Sequence, residues 1–134
     1  MMKKIIIAIG SIVFIVLVLF ICFFFVLTAP KFTGHFSTST YQAEMENVNF
    51  QTEMNYGKID GYKSAASAGK KAIADRFEDS KGGIFEWMGC SVRYDAKNDI
   101  YYIRTYHLNP LLKGGAFDVI MQADGTVLAI WGEK

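Results

Sequence analysis

The sequence predicts an α+β protein carried on an apolar N-terminal helix, and three observations predict it. Ile5 to Leu27 is a run of 23 residues, of which 21 are apolar and only Gly10 and Ser11 are not. Lys63 to Asp79 repeats small and apolar residues at three- and four-residue steps, the period of a helix with one buried face. Cys90 to Trp131 then alternates in short segments separated by turn residues, closing on Asp124-Gly125, a strong hairpin signal. A helix followed by strands joined mainly by hairpins specifies a twisted antiparallel sheet packed on that helix.

The first run reads as a membrane anchor. At about 1.5 Å per residue it spans roughly 34 Å, enough for a hydrocarbon core of about 30 Å. Nineteen of its residues are Ile, Val, Leu or Phe, and no charge interrupts it. A cleaved signal peptide usually has an apolar region of only about 7–15 residues. Cleavage after Ala29 would put Leu27 where a small residue is wanted, and a lipoprotein cut before Cys22 would put Ile21 there. Lys3 and Lys4 favour a cytoplasmic N-terminus, which places the remainder outside the cell. The expected organisation is a tail over residues 1–4, an anchor over 5–27, a juxtamembrane segment over 28–57 and an α+β domain over 58–134.

Residues 31–134 number 104, of which 45 are apolar, an ordinary share and enough chain to bury a core. They carry 12 Lys and Arg against 13 Asp and Glu, a net charge of −1. A near-neutral domain lacks the basic footprint that nucleic acid demands. Two cysteines, one inside the apolar run, exclude a disulfide framework and a cysteine-rich metal site.

Between the anchor and the first helix, Ser37-Thr38-Ser39-Thr40 is a polar patch. Tyr41 to Met54 mixes Met45, Val48, Phe50 and Met54 with polar residues and shows no clean period. This stretch fits a stalk, a short helix or a first strand equally. In the helix, Ala65, Ala68, Gly69, Ala72, Ile73, Arg76 and Phe77 share a stripe whose small residues permit close approach to a sheet. Ser64 or Asp60 is placed to cap its start, and Lys81-Gly82-Gly83 to end it. The strands follow as Cys90–Tyr94, Ile100–Tyr106, Ala116–Gln122 and Val127–Trp131. Asp95 to Asp99 forms one turn, and Leu108 to Gly115 a longer loop closed by Gly114-Gly115.

The last hairpin looks apolar on both faces. Strict alternation puts Phe117, Val119, Met121, Val127, Ala129 and Trp131 on one and Ile120, Leu128 and Ile130 on the other. A sheet with one wet face alternates more cleanly. The second face therefore expects cover, from the juxtamembrane segment or from a partner.

Residues that carry chemistry are sparse. His35 and His107 are the only histidines, and zinc needs three or four closely spaced ligands. Cys90 has no CxxC partner, and Cys90 with His107 has no nucleophile motif around it. Gly82-Gly83 and Gly114-Gly115 lack the strand and helix setting that cradles phosphate. Asp75, Glu78 and Asp79 read as a solvated last turn. An enzyme using a pocket would draw on Asp118, Glu86 or His107. The composition points away from catalysis, with no cofactor and no metal expected.

The order of Ser64-Ala65 through Phe77, Arg93-Tyr94-Asp95, Asp99-Ile100-Tyr101-Tyr102-Ile103-Arg104, Gly114-Gly115-Ala116-Phe117-Asp118 and Asp124-Gly125-Thr126-Val127-Leu128 resembles the bacterial immunity proteins with a nuclear transport factor 2-like fold. The likeness covers roughly residues 58–132. It implies a cystatin-like or nuclear transport factor 2-like cone, a sheet curled around its helix. It also implies a non-enzymatic module that neutralises a cognate polymorphic toxin by occlusion. If Tyr101 and Ile103 face the core, then Tyr102, Arg104 and Tyr106 face outward, with Arg93 on the neighbouring strand. These residue types favour interfaces, and the four are the candidate partner-binding residues. Gly114, Gly115, Asp124 and Gly125 are the structural turn residues. The rival expectation is an extracytoplasmic PepSY-like module that modulates a peptidase or sensor.

Overall fold

The structure, a computed structural model, describes residues 1–46, 54–77, 88–108, 111 and 115–132. Helix α1 covers Met2–Thr28, and none of its residues is buried. Its mean hydropathy reaches 3.4, and it is long and apolar enough to cross a membrane. Its two hydroxyls are satisfied within the helix: Ser11 Oγ donates to the Ile7 carbonyl and Thr28 Oγ1 to the Phe24 carbonyl, both at 2.9 Å. An apolar solvent requires that internal satisfaction. Only Ala29 and Pro30 separate α1 from the first strand.

The rest is α+β. Five strands lie in the spatial order β1-β2-β3-β4-β5: β1 Lys31–His35, β2 Met88–Asp95, β3 Ile100–His107, β4 Phe117–Gln122 and β5 Val127–Gly132. A 3-10 turn at Thr38–Tyr41 and the short helix α2, Gln42–Glu46, follow β1. Helix α3 covers Tyr62–Arg76. The pairs β2–β3, β3–β4 and β4–β5 are antiparallel, as expected. However, β1 pairs parallel to β2, so the sheet is mixed rather than purely antiparallel. The reason is connectivity: a parallel pair needs a crossover, and α3 supplies the return. The sequence hides β1 because four of its five residues are exposed, and an edge strand with little burial carries no alternation.

Helix α3 crosses β2, β3 and β4. It buries Ala65, Ala66, Gly69, Ala72 and Ile73 against Cys90, Val92, Ile103, Val119, Met121, Val127 and Ile130. The contact is close at Gly69, where a Cβ would fall 2.7 Å from Ile103 Cγ2. The expected cap differs. Gly61 is the N-cap and no side chain caps it, while Ser64 Oγ accepts the Asp60 N–H at 2.8 Å. The helix ends at Arg76 rather than Asp79, with Phe77 already extended. The expected stop at Lys81-Gly82-Gly83, the candidate Glu86 and Gly114 lie outside the described residues.

The β4–β5 hairpin turns at Asp124-Gly125. Gly125 takes a φ of +92°, and its N–H donates to the Gln122 carbonyl at 2.9 Å. Asp124 Oδ1 accepts the Thr126 N–H at 2.8 Å. Beyond the turn the strand does not keep strict alternation. Met121 is opposite Val127 and Ile120 opposite Ala129, so Leu128 is an extra residue in β5. Such a bulge reverses the facing of everything after it. Val127 and Ile130 therefore face α3, while Ala129 and Trp131 turn to the second face with Ile120 and Leu128. This corrects the expected grouping of Ala129 and Trp131 with Val127.

The second face is partly covered from within the chain. Phe36, Tyr41 and Met45 pack over Ile100, Tyr102, Ile120 and Ala129, flanked by Leu128 and Trp131. The segment from Phe36 to Glu46 is thus a strap.

Candidate interaction face

Asp95 fixes the strap. Its Oδ2 accepts the Thr38 N–H at 2.9 Å, the Thr38 hydroxyl, and Asn98 Nδ2 at 2.8 Å. Its Oδ1 accepts the N–H groups of Lys97 at 3.0 Å and Asn98 at 3.3 Å. One carboxylate therefore organises the β2–β3 turn and holds the 3-10 turn against it. The hydrogen bonds from Thr38 and then Asn98 hold its pKa well below the ordinary carboxylate range.

Tyr102 is the centre of the face. Tyr41 stacks on it with ring centroids 4.9 Å apart and planes 22° from parallel. Phe36 lies 5.6 Å away and Trp131 6.3 Å away. Its hydroxyl donates to Asp118 Oδ1 at 2.6 Å. Burial, reinforced by that hydrogen bond, pushes its pKa well above the ordinary phenol value. Arg104 Nη1 lies 3.5 Å from the same Oδ1; the Arg104 side chain is 35% exposed and that of Asp118 is 0% exposed. The register explains the group, because Arg104 is opposite Asp118, which is opposite Trp131.

The four predicted partner-binding residues share this face but differ in access. Tyr102 is only 5% exposed, which corrects its assignment as a surface anchor: the strap covers it. Arg104 is half-buried beside Asp118. Tyr106 is half-buried over Gly89, where a Cβ would fall 2.4 Å from the ring. Arg93 is exposed, with its guanidinium 5.9 Å from the Tyr102 ring centroid. Of the turn residues, Gly115 has a φ of +75° and packs on the His107 ring. Sequence reasoning missed Phe36, Tyr41 and Trp131 as parts of the face. The β3–β4 register was the signal that would have paired Arg104 with Asp118.

The α3 side brings Cys90 opposite Thr105, two residues from His107 on β3. Burial pushes the Cys90 thiol up to about 11, with Lys70 partly opposing it, so the thiol stays protonated near neutral pH. Among the described residues, no group of three or more His, Cys, Asp or Glu could hold a metal ion. At the end of the sheet far from α1, an open hollow of about 450 Å³ is lined by Thr38, Gln42, Met45, Asn98, Gln122 and Leu128, among others. No protein-family model, no curated protein and no solved structure matches the chain.

Proposed function

We propose that this protein is a membrane-anchored binding module, an immunity protein that sits outside the cell and occludes a cognate toxin. The observation that carries the reading is the join between α1 and the domain. A 27-residue apolar helix with no buried residue runs through two residues into the edge of a folded sheet. Transferring that helix from water to hydrocarbon gains up to roughly 6–11 kcal/mol from its Ile, Val, Leu and Phe alone. The tether is too short to let the domain roam, so its faces are presented at a fixed height above the bilayer. Arg93, Arg104 and Tyr106, residue types that favour interfaces, lie on one face of that sheet. The motif order shared with the immunity proteins supplies the kind of partner.

The test is co-expression of the full chain with the product of the neighbouring gene. The expected result is that the neighbour arrests growth, that this chain restores it, and that the two co-purify in detergent. A harmless neighbour, or a toxic one that is neither bound nor relieved, overturns the reading. Unchanged toxin sensitivity with altered cell-wall proteolysis on deletion moves it to the PepSY-like alternative.

A further inference from the structure

The register of the sheet fixes how low its α1 end lies. Lys31, the first residue of β1, comes three residues after the end of α1 and is opposite Ser91 of β2. Because β1 and β2 are parallel, Cys90, Gly89 and Met88 run back from that level towards α1, a descent of about 10 Å. The three residues of extended chain from Thr28 to Lys31 cover about 10 Å as well, so the start of β2 is level with the last turn of α1. The packing agrees. Helix α1 touches β2, and Phe24, Leu27 and Thr28 are half-buried while every earlier residue of α1 is exposed. Leu27 is also where the apolar run ends.

Strand β3 ends at the same level, because His107 is opposite Met88. Leu108 follows that last pair, and Leu111 comes three residues further, before the chain returns to Phe117 opposite Thr105. Outside α1, the exposed large apolar side chains among the described residues are Phe32 at 46% and Leu111 at 86%. The two ends of the sheet also differ in polarity. From Met88 to Cys90 and from Thr105 to Leu108 there is no Lys, Arg, Asp or Glu. The turns at the opposite end carry Asp95, Lys97, Asp99 and Asp124.

We propose that this end of the sheet is seated in the interface of the bilayer that α1 crosses, with Leu111 reaching the acyl boundary. This rests on the membrane-anchor part of the reading above and deepens it: a second lipid contact sets the tilt of the domain. The interfacial layer is only about 5–8 Å thick on each side of the hydrocarbon, so a residue level with Leu27 lies within or beside it. An apolar side chain there leaves water, as the apolar face of an interfacial helix does. Lys31, exposed about 10 Å higher, has a long stem that carries its ammonium to the headgroups. Lipid is favoured over a second protein because α1 itself fixes the height: any occupant of the Leu111 side has to lie in the same layer. The turns with Asp95, Asp99 and Asp124 then point away from the membrane.

The test uses the full chain in phosphatidylcholine nanodiscs, with Cys22→Ala and one nitroxide label at a time, at Ile15→Cys, Leu111→Cys, Phe32→Cys or Lys97→Cys. Without an added cysteine the chain should take up no label, because Cys90 is buried. Collision with oxygen, which concentrates in hydrocarbon, and with a water-soluble nickel chelate gives the depth of each label. The oxygen-to-nickel ratio should be highest at Ile15, in the middle of α1. At Leu111 it should lie below Ile15 but roughly 5-fold or more above Lys97 on the far turn. Phe32 controls for the greasiness of the label, since it is exposed but lies above Lys31. A Leu111 label no deeper than that at Phe32 or Lys97 overturns the proposal. So does one shielded from oxygen and nickel alike, which means that protein covers it. An Ile15 label in water overturns both this proposal and the anchor. A deep Ile15 with a wet Leu111 overturns this proposal alone, whereas an interfacial Leu111 with failed growth rescue overturns only the immunity reading.

Discussion

The two faces of the sheet are built by different chemistry. Against α3 the contact is aliphatic and close, with Gly69, Ala65 and Ala72 letting the helix settle on Ile103, Val92 and Val119. Against the strap it is aromatic and polar, with Tyr41, Tyr102 and Trp131 around a buried carboxylate. The first face depends on shape and tolerates no added volume. The second is organised around a buried carboxylate held through one oxygen by the Tyr102 hydroxyl and Arg104. A close-packed apolar interface is non-directional, whereas a buried ion needs its own donors. The difference teaches where each face will fail.

The largest effect is expected on the strap side. Asp118→Ala removes the acceptor that Arg104 and the Tyr102 hydroxyl share, and should cost about 3 kcal/mol. Denaturant unfolding checks it, and a loss below about 1 kcal/mol would show that the carboxylate is not integral. Next, Gly69→Val drives a branched side chain into Ile103 and should cost up to about 3 kcal/mol, while the strap stays in place. Tyr41→Ala should cost about 2 kcal/mol and shift the Trp131 emission to the red in a Trp87→Phe background. An unmoved Trp131 spectrum would show that the strap does not shield that ring. If both Gly69→Val and Tyr41→Ala moved the Trp131 spectrum alike, the two faces would not be separate units.

The smallest effect is the sharpest in sign. Thr38→Ala removes one donor to Asp95 and should cost about 1 kcal/mol at neutral pH. Asp95 has a folded pKa below its unfolded value, so its contribution is fully present above about pH 4 and is lost as pH falls through the folded pKa. The thermal stability gap between the unaltered chain and Asp95→Asn should therefore narrow on going from pH 6 towards pH 2. A gap that widens with acid would contradict the strap's hydrogen-bond arrangement.

Much of the α3 face was legible in sequence. The stripe through Ala65, Gly69, Ala72 and Ile73 has the helical period, and Asp124-Gly125 marks its own turn. Of the candidate partner-binding residues, Arg93 was read correctly as exposed, because β2 alternates without a bulge. Tyr102 was misread because alternation gives the face but not what lies over it. The strap that buries it is built from Phe36, Tyr41 and Met45, which have no period to reveal them. Trp131 was misplaced because the extra residue Leu128 shifts the parity of β5.

The sequence by itself determined the apolar helix, the α3 stripe, the antiparallel meander and its hairpin turn. Each of these is a local pattern, set by helix period, strand alternation or glycine's backbone freedom. Only the tertiary structure decided that β1 pairs in parallel with β2, that the strap closes over Tyr102, and that Arg104 falls opposite Asp118. Those are contacts between residues far apart in sequence, such as Lys31 with Ser91 and Tyr41 with Trp131. They depend on register and chain crossing, which no local window of sequence encodes.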